Sequence, residues 1–314
     1  MAVASSPPVA VLATLSRACV ATRAAAGAAV ATAAAAAPAT WTDPEPVATT
    51  TRLTSAELVA SLGAHPTACY TTARTAGPAS CAVFQLRRHV DRLGASASAL
   101  FGADPAQVAA DSLRAMSAAL RSPLARASDA ARKLTVVVEP HEVRVLVEPL
   151  RPRDARAPVR VALGGPPRHD PKTKDLAYVA ERRAFVDPAM EETLLVDRAA
   201  GRVLEGSQTN FFAVMRGAVW TARDGVLEGT VRALVLDACA ALRVPLRLEA
   251  PLVADLPRWE EAFIASTSRL VLSVDELEGR AMHPHRPVTS ALAVWVQQHV
   301  GERSEEPERV LGSL

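Results

Sequence analysis

The chain has 314 residues, with 35 Lys and Arg against 33 Asp and Glu, for a net charge of +2. That balance gives no reason to expect a nucleic acid or an anionic membrane as partner. Hydrophobic residues make up 49% of the chain, enough for one large or two medium cores.

Residues 1–40 contain 18 alanines, Ser, Thr, Pro, Arg17 and Arg23, and the first acid is Asp43. A Ser/Ala-rich, acid-poor segment with scattered arginines predicts an organellar transit peptide, chloroplast ahead of mitochondrion. The alternative is a low-complexity tail with no address, in a cytoplasmic protein. Alanine is too weakly apolar for this stretch to span a membrane, and no other apolar run is long enough. With Trp41 to Thr51 as linker, residues 1–51 are set apart, and the fold is expected to begin near Arg52.

Residues 52–155 read as a small N-terminal lobe. Thr54 to Leu62 predicts a helix. Ala68 to Thr75 predicts a strand with Tyr70, Thr72 and Arg74 on one face, returning after Gly77-Pro78 as Ser80 to Phe84. Leu86, Val90, Leu93, Ala97 and Leu100 form the stripe of a helix, and Arg92 sits beside it. Helices are also expected over Pro105 to Arg121 and Ala125 to Lys133. Leu134 to Val138 and Val143 to Val147 form a hairpin across Glu-Pro-His-Glu.

Pro149 to Pro158, with three prolines, marks the boundary to a second lobe over 156–300. Strands are expected at Val159 to Leu163, Thr193 to Val196, Phe211 to Met215, Ala218 to Thr221, Ala262 to Ser266 and Leu270 to Val274. Helices are expected at Leu176 to Val186, Thr230 to Leu242 and Ser290 to Val300, and residues 301–314 as a loose charged tail. Both halves mix hairpins with helices, so the fold class is α+β in two lobes. No G-x-G-x-x-G or P-loop is present, so neither a Rossmann domain nor a Walker ATPase is supported. Cys19, Cys69, Cys81 and Cys239 form no C-x-x-C pair and read as reduced, mostly buried thiols, with no metal site.

The chemistry concentrates between Gly201 and Arg232. Glu205 is a carboxylate at a Gly-bearing turn. Downstream, Gly229 opens a helix, whose unpaired N–H groups and positive dipole end suit a phosphate. A fixed carboxylate near a phosphate cradle is what a pyridoxal phosphate site needs, together with a lysine. Lys174 lies upstream in a basic loop with Arg168, His169 and a competing Lys172.

Four motifs then occur in order: Phe84-Gln-Leu-Arg-Arg-His-Val-Asp-Arg92-Leu, Leu204-Glu-Gly-Ser-Gln-Thr-Asn-Phe-Phe, the Leu-x-Gly-x-x-Arg turn from Leu227 to Arg232, and Phe263-Ile-Ala-Ser-Thr-Ser. Together they resemble the class IV (fold type IV) pyridoxal phosphate enzymes over about residues 65 to 275. That family includes branched-chain and D-amino acid aminotransferases and aminodeoxychorismate lyases. The wording around Tyr70 and Lys174 is closest to a plant-type branch. The resemblance implies an N-terminal α/β sandwich lobe, a C-terminal pseudo-barrel lobe and a homodimer.

It also implies roles. Lys174 is the Schiff-base lysine, favoured over Lys172 by its spacing to Tyr178 and to the Glu205 turn. Glu205 faces the pyridine nitrogen and keeps it protonated. Arg92, the N–H groups of Thr230 and Val231, and Thr267 hold the phosphate. Tyr70 is the active-site tyrosine, and Thr72 and Arg74 reach the substrate, Arg74 as a fork for its carboxylate. Ser207 and Asn210 shape the turn, and Trp220 and Trp259 pack. The chain departs from the pattern at Thr230-Val231, where Ile-Thr is usual, and at Glu228, where proline is usual; the Glu228 side chain is expected in solvent. The implied reaction is transamination between an amino acid and a keto acid. Lyase chemistry releasing pyruvate is the alternative, and a non-catalytic relative the third.

Overall fold

The computed structural model describes residues 9–16, 45–51, 53–63, 67–126 and 130–314. The first lobe runs β1 (Ala10–Ser16), β2 (Val47–Thr51), α1 (Ser55–Ala60), β3 (Cys69–Arg74), β4 (Val83–Phe84), α2 (Leu86–Phe101), α3 (Pro105–Arg121), α4 (Pro123–Arg126), β5 (Arg132–Glu139) and β6 (Glu142–Pro149). The second runs β7 (Arg160–Gly165), α5 (Tyr178–Glu181), β8 (Glu192–Asp197), β9 (Arg202–Gly206), β10 (Asn210–Met215), β11 (Ala218–Trp220), α6 (Thr230–Ala241), β12 (Leu246–Arg247), β13 (Glu261–Ser266), β14 (Leu270–Ser273), β15 (Glu276–Leu277), β16 (Arg280–Ala281) and α7 (Pro287–Gln298). The chain then returns to the first lobe with β17 (Ser304–Glu305) and α8 (Pro307–Leu311).

The small lobe is a five-stranded sheet, β2-β1-β6-β5-β3, with neighbouring strands antiparallel. Helices α2 and α3 cover one face. There Val11, Ala13 and Leu15 of β1 join Val136, Val145, Leu93 and Met116 in one apolar cluster. Leu58 of α1 and Leu176 cover the other face. Gly94 lets α2 and α3 approach closely, since a Cβ there would lie 2.9 Å from the Pro105 carbonyl. Asp104 starts α3 by accepting from the Ala106 N–H at 3.1 Å, and Pro105 in the first turn needs no partner for the N–H it lacks.

Three expectations are corrected. The fold does not begin near Arg52, because β1 lies inside the sheet between β2 and β6, with Leu15 only 1% exposed. The leader-like composition hides a period-two apolar pattern at Val11, Ala13 and Leu15 that suits a half-covered strand. The rest of the leader expectation, residues 1–8 and 17–44, lies outside the described residues. The C-terminal segment is not loose: β17 pairs with β4, and Val310 is buried in the small-lobe core. Lys133 belongs to β5 rather than to a helix, because its neighbours continue the ladder with β6.

The large lobe is a curved ten-stranded sheet, with β13 branching from β10 to β14. Val161 and Leu277 from one end meet Phe211 and Ile264 from the other in one cluster, which a sheet can bring about only by wrapping on itself. Helices α6 and α7 cover the outer side, over the stacked rings of Phe212 and Phe263 at 4.6 Å. The buried carboxylate of Glu261 accepts the Val288 and Thr289 N–H groups at 3.0 and 2.7 Å, tying down the start of α7. The α+β, two-lobed expectation agrees with this architecture. No helix of the described residues is long and apolar enough to cross a membrane.

Candidate active site

A cleft of about 690 Å³ lies between the lobes. One end is built by the β9–β10 turn. Gly206 is required there, since a Cβ would sit 2.2 Å from the Thr209 hydroxyl and 2.7 Å from the Glu192 carboxyl. Buried Glu192 pins the turn by accepting from the Ser207 hydroxyl at 2.6 Å and the Gln208 N–H at 3.1 Å. The turn presents Glu205, itself 3% exposed. Its Oε2 accepts from the Leu227 N–H at 3.0 Å and from Asn210 Nδ2 at 3.4 Å. Oε1 has no hydrogen-bond donor among the described residues; Arg168 Nη1 comes only to 3.9 Å, an ion-pair distance. Burial pushes the Glu205 carboxyl up to about 7, against the pull of Arg168 and the Leu227 N–H.

Lys174 reaches the cleft on a segment docked on the edge of β3. Its carbonyl accepts from the Tyr70 N–H at 3.0 Å, the Leu176 N–H donates to Ala68 at 2.9 Å, and the Lys174 N–H donates to Ser96 Oγ at 3.1 Å. Nζ lies 4.7 Å from the centre of the Tyr70 ring. Burial, reinforced by Arg92 and Arg168, holds the amine well below the usual lysine range. A neutral amine is the nucleophilic form. Lys172 is exposed and does not line the cleft, so geometry separates the two lysines.

The other end is the start of α6. Gly229 caps it, and a Cβ there would lie 1.9 Å from Asn210 Oδ1, so only glycine fits. The same Asn210 donates to the Leu227 carbonyl at 2.8 Å, so it shapes the turn. Thr230 and Val231 open the helix with N–H groups that have no intrahelical acceptor. The Thr230 and Thr267 hydroxyls are 3.3 Å apart, so the Thr230 side chain stays at this end despite its shift from the usual position. Arg92 crosses from α2. It donates to the Glu228 carbonyl at 3.3 Å and to Thr71 Oγ1 at 2.7 Å, while its Nε has no partner among the described residues. The Thr71 hydroxyl is thereby left to donate to His89 Nδ1 at 2.7 Å. Burial and Arg92 hold that histidine far below its usual range, so it stays neutral. The Glu228 side chain is exposed, as expected.

Tyr70 and Thr72 line the cleft; Arg74 does not. It shares their strand face but lies at the far end of β3, in register with Lys133. The cleft lining lends no support to its expected role as a carboxylate fork. Trp259 packs on Phe211, ring centres 5.5 Å apart, and Trp220 lies outside the cleft. Sequence reasoning missed Arg168 as a site residue. Its guanidinium lies 4.3 Å over the Tyr178 ring and donates to the Thr173 carbonyl at 2.7 Å. The signal was its place in the basic loop, which by itself reads as a solvated surface. Arg182 and Arg183, at the cleft lining after α5, were also missed.

The buried acceptor left open at Glu205, the suppressed Lys174 amine and the helix start with Arg92 fit a planar aldehyde carrying a phosphate and a basic ring nitrogen. They define a pyridoxal phosphate enzyme. The model of the family "Amino-transferase class IV" matches residues 68–277, so the chain belongs to that family, whose cofactor is pyridoxal 5′-phosphate. Solved structures agree in fold. The branched-chain aminotransferase of Thermoproteus uzoniensis with norvaline is 19% identical, with TM-score 0.61 over 76% of this chain and 90% of that one. A putative branched-chain amino acid aminotransferase of Thermotoga maritima is 25% identical, with TM-score 0.60 over 75% and 85%. The T.th. branched-chain amino acid aminotransferase with pyridoxamine 5′-phosphate is 22% identical, with TM-score 0.61 over 77% and 88%. No curated protein matches the chain.

Proposed function

We propose that the protein transfers the amino group of an amino acid to a keto acid, with Lys174 as the residue that links to the cofactor and moves the proton. The observation that carries this is the shared cleft of a half-buried lysine whose amine is held below its usual range and a buried carboxylate with one oxygen left open. When bound, the cofactor supplies an aldehyde for amines and a protonated ring that takes up the electron pair released at the substrate Cα.

Every other task falls to the chain. Glu205 holds the proton on the ring nitrogen through Oε1; a cationic donor there restores the charged carboxylate that burial disfavours. Lys174 Nζ, held below the usual lysine range, accepts the Cα proton and returns it on the other side of the transfer. Arg92, the Thr230 and Val231 N–H groups and the Thr267 hydroxyl bind the phosphate. Tyr70 flanks the Lys174 amine.

The test is an absorbance titration of cofactor-loaded protein with amino acids of both hands. Conversion of the aldehyde form to the amine form, lost by at least about 10³-fold in Lys174→Ala, supports the reading. Pyruvate release with no keto acid acceptor would replace it with the lyase reaction.

A further inference from the structure

A polar chain runs from the phosphate end of the cleft back into the small lobe. Arg92 is half-buried, but the two residues behind it, Thr71 and His89, are 0% exposed. Arg92 Nη2 donates to Thr71 Oγ1 at 2.7 Å, and the Thr71 hydroxyl donates to His89 Nδ1 at 2.7 Å. His89 and Arg92 stand at i and i+3 on α2, which puts them on one side of the helix. Thr71 lies on the buried face of β3, opposite to Tyr70 and Thr72.

His89 can end this chain only as an acceptor. Burial, with the positive charges of Arg92 and Lys174 nearby, keeps an imidazolium from forming there. Nδ1 is therefore bare and Nε2 carries the hydrogen. That Nε2 has no hydrogen-bond partner among the described residues. A buried polar atom left unmatched costs folding stability, and an apolar side chain of similar size would avoid the cost. Packing alone gives no reason for an imidazole at this place, whereas an acceptor at Nδ1 does.

That acceptor decides where the arginine points. A hydroxyl has a single hydrogen to give. With it drawn to His89, Thr71 turns a lone pair towards Arg92 Nη2. On the other side of the fork, Nη1 is held by the Glu228 carbonyl at 3.3 Å. Arg92 thus spends one donor of each terminal nitrogen on the protein. Its Nε, unpartnered among the described residues, and the remaining fork hydrogens are left for an anion.

We infer that His89 is a positioning residue: through Thr71 it holds the Arg92 guanidinium in the orientation that grips the cofactor's phosphate. The inference rests on the phosphate end of the site as read above, and it holds whichever reaction the cleft performs.

The test measures, by absorbance on the full-length protein, the dissociation constants of pyridoxal 5′-phosphate and of pyridoxal, which lacks only the phosphate. Their ratio isolates the grip on the phosphate. The ratio should fall about tenfold in Thr71→Val, which keeps the shape and removes the hydroxyl. It should fall at least about fivefold in His89→Gln, whose amide reaches past the Nδ1 position, and stay within about twofold of the wild type in His89→Asn, whose Oδ1 can replace Nδ1 as acceptor. The double variant T71V/H89Q should lose no more than Thr71→Val alone, since both act through one chain. An unchanged ratio in Thr71→Val and His89→Gln would overturn the inference. So would a His89→Asn that loses as much as His89→Gln, a double variant whose losses multiply, or equal weakening of both ligands, which is the mark of a packing role. Wild-type protein that binds the two ligands equally would instead sink the phosphate end itself, and the inference with it.

Discussion

The two ends of the cleft are built differently. Glu205, its donors Leu227 and Asn210, and the Glu192 carboxylate behind the turn all belong to the large lobe, so the ring end is set by one continuous sheet. The phosphate end is shared: Thr230 and Thr267 come from the large lobe, but Arg92 comes across from α2 and hydrogen-bonds the Glu228 carbonyl at 3.3 Å. Lys174 sits between, hung on the edge of the small-lobe sheet. The ring end therefore depends on local turns, and the phosphate end on two lobes keeping their positions.

The strongest way to break this comparison is to disturb the small lobe alone. Leu15 is packed against the core of α2 and α3, so Leu15→Ala should lower stability by about 2–5 kcal/mol in a denaturant titration. It should also weaken cofactor binding through Arg92. A variant as stable as the wild type would mean that β1 is not part of the folded core.

The next largest effect is expected at the ring end. Glu205 has its folded pKa raised to about 7 from an ordinary 4.5. Its proton is thus held more tightly in the native state, and native stability falls as pH rises through that window. Glu205→Gln lacks this slope. Without cofactor, the stability of Glu205→Gln relative to the wild type should grow by about 3 kcal/mol between pH 4 and pH 8. Parallel stability curves would show that Glu205 is not desolvated.

Arg92→Gln sharpens the phosphate end. It should raise the Kd for the cofactor by roughly 10–100-fold, the loss of charge-assisted hydrogen bonds, while leaving the position of the ring absorbance band unchanged. A shifted band with unchanged affinity would place Arg92 at the ring instead.

This division also explains what the sequence made legible. Glu205-Gly206, Asn210 and Gly229 work within a few residues of where they stand, and a turn or a helix start announces itself locally. Arg92 was visible because a helix stripe fixes which face it shares. Arg168 was not, since its role appears only when the loop folds back onto the Tyr178 ring. Arg74 falls outside the cleft lining because strand alternation gives the face but not how far along the strand the cleft extends. Strand β1 was masked by alanines around a pattern of three larger or buried positions, Val11, Ala13 and Leu15. The C-terminal return rests on little more than Pro307 and Val310, too short a signal to outweigh the charges around it.

The central claim is a bond to one particular amine. Loading the protein with the cofactor, reducing it with borohydride and mapping the modified peptide by mass spectrometry tests it directly. The account predicts the reduced cofactor on Lys174, the half-buried amine of the cleft, and none on the exposed Lys172 two residues away. Modification of Lys172, or of neither lysine, would contradict it.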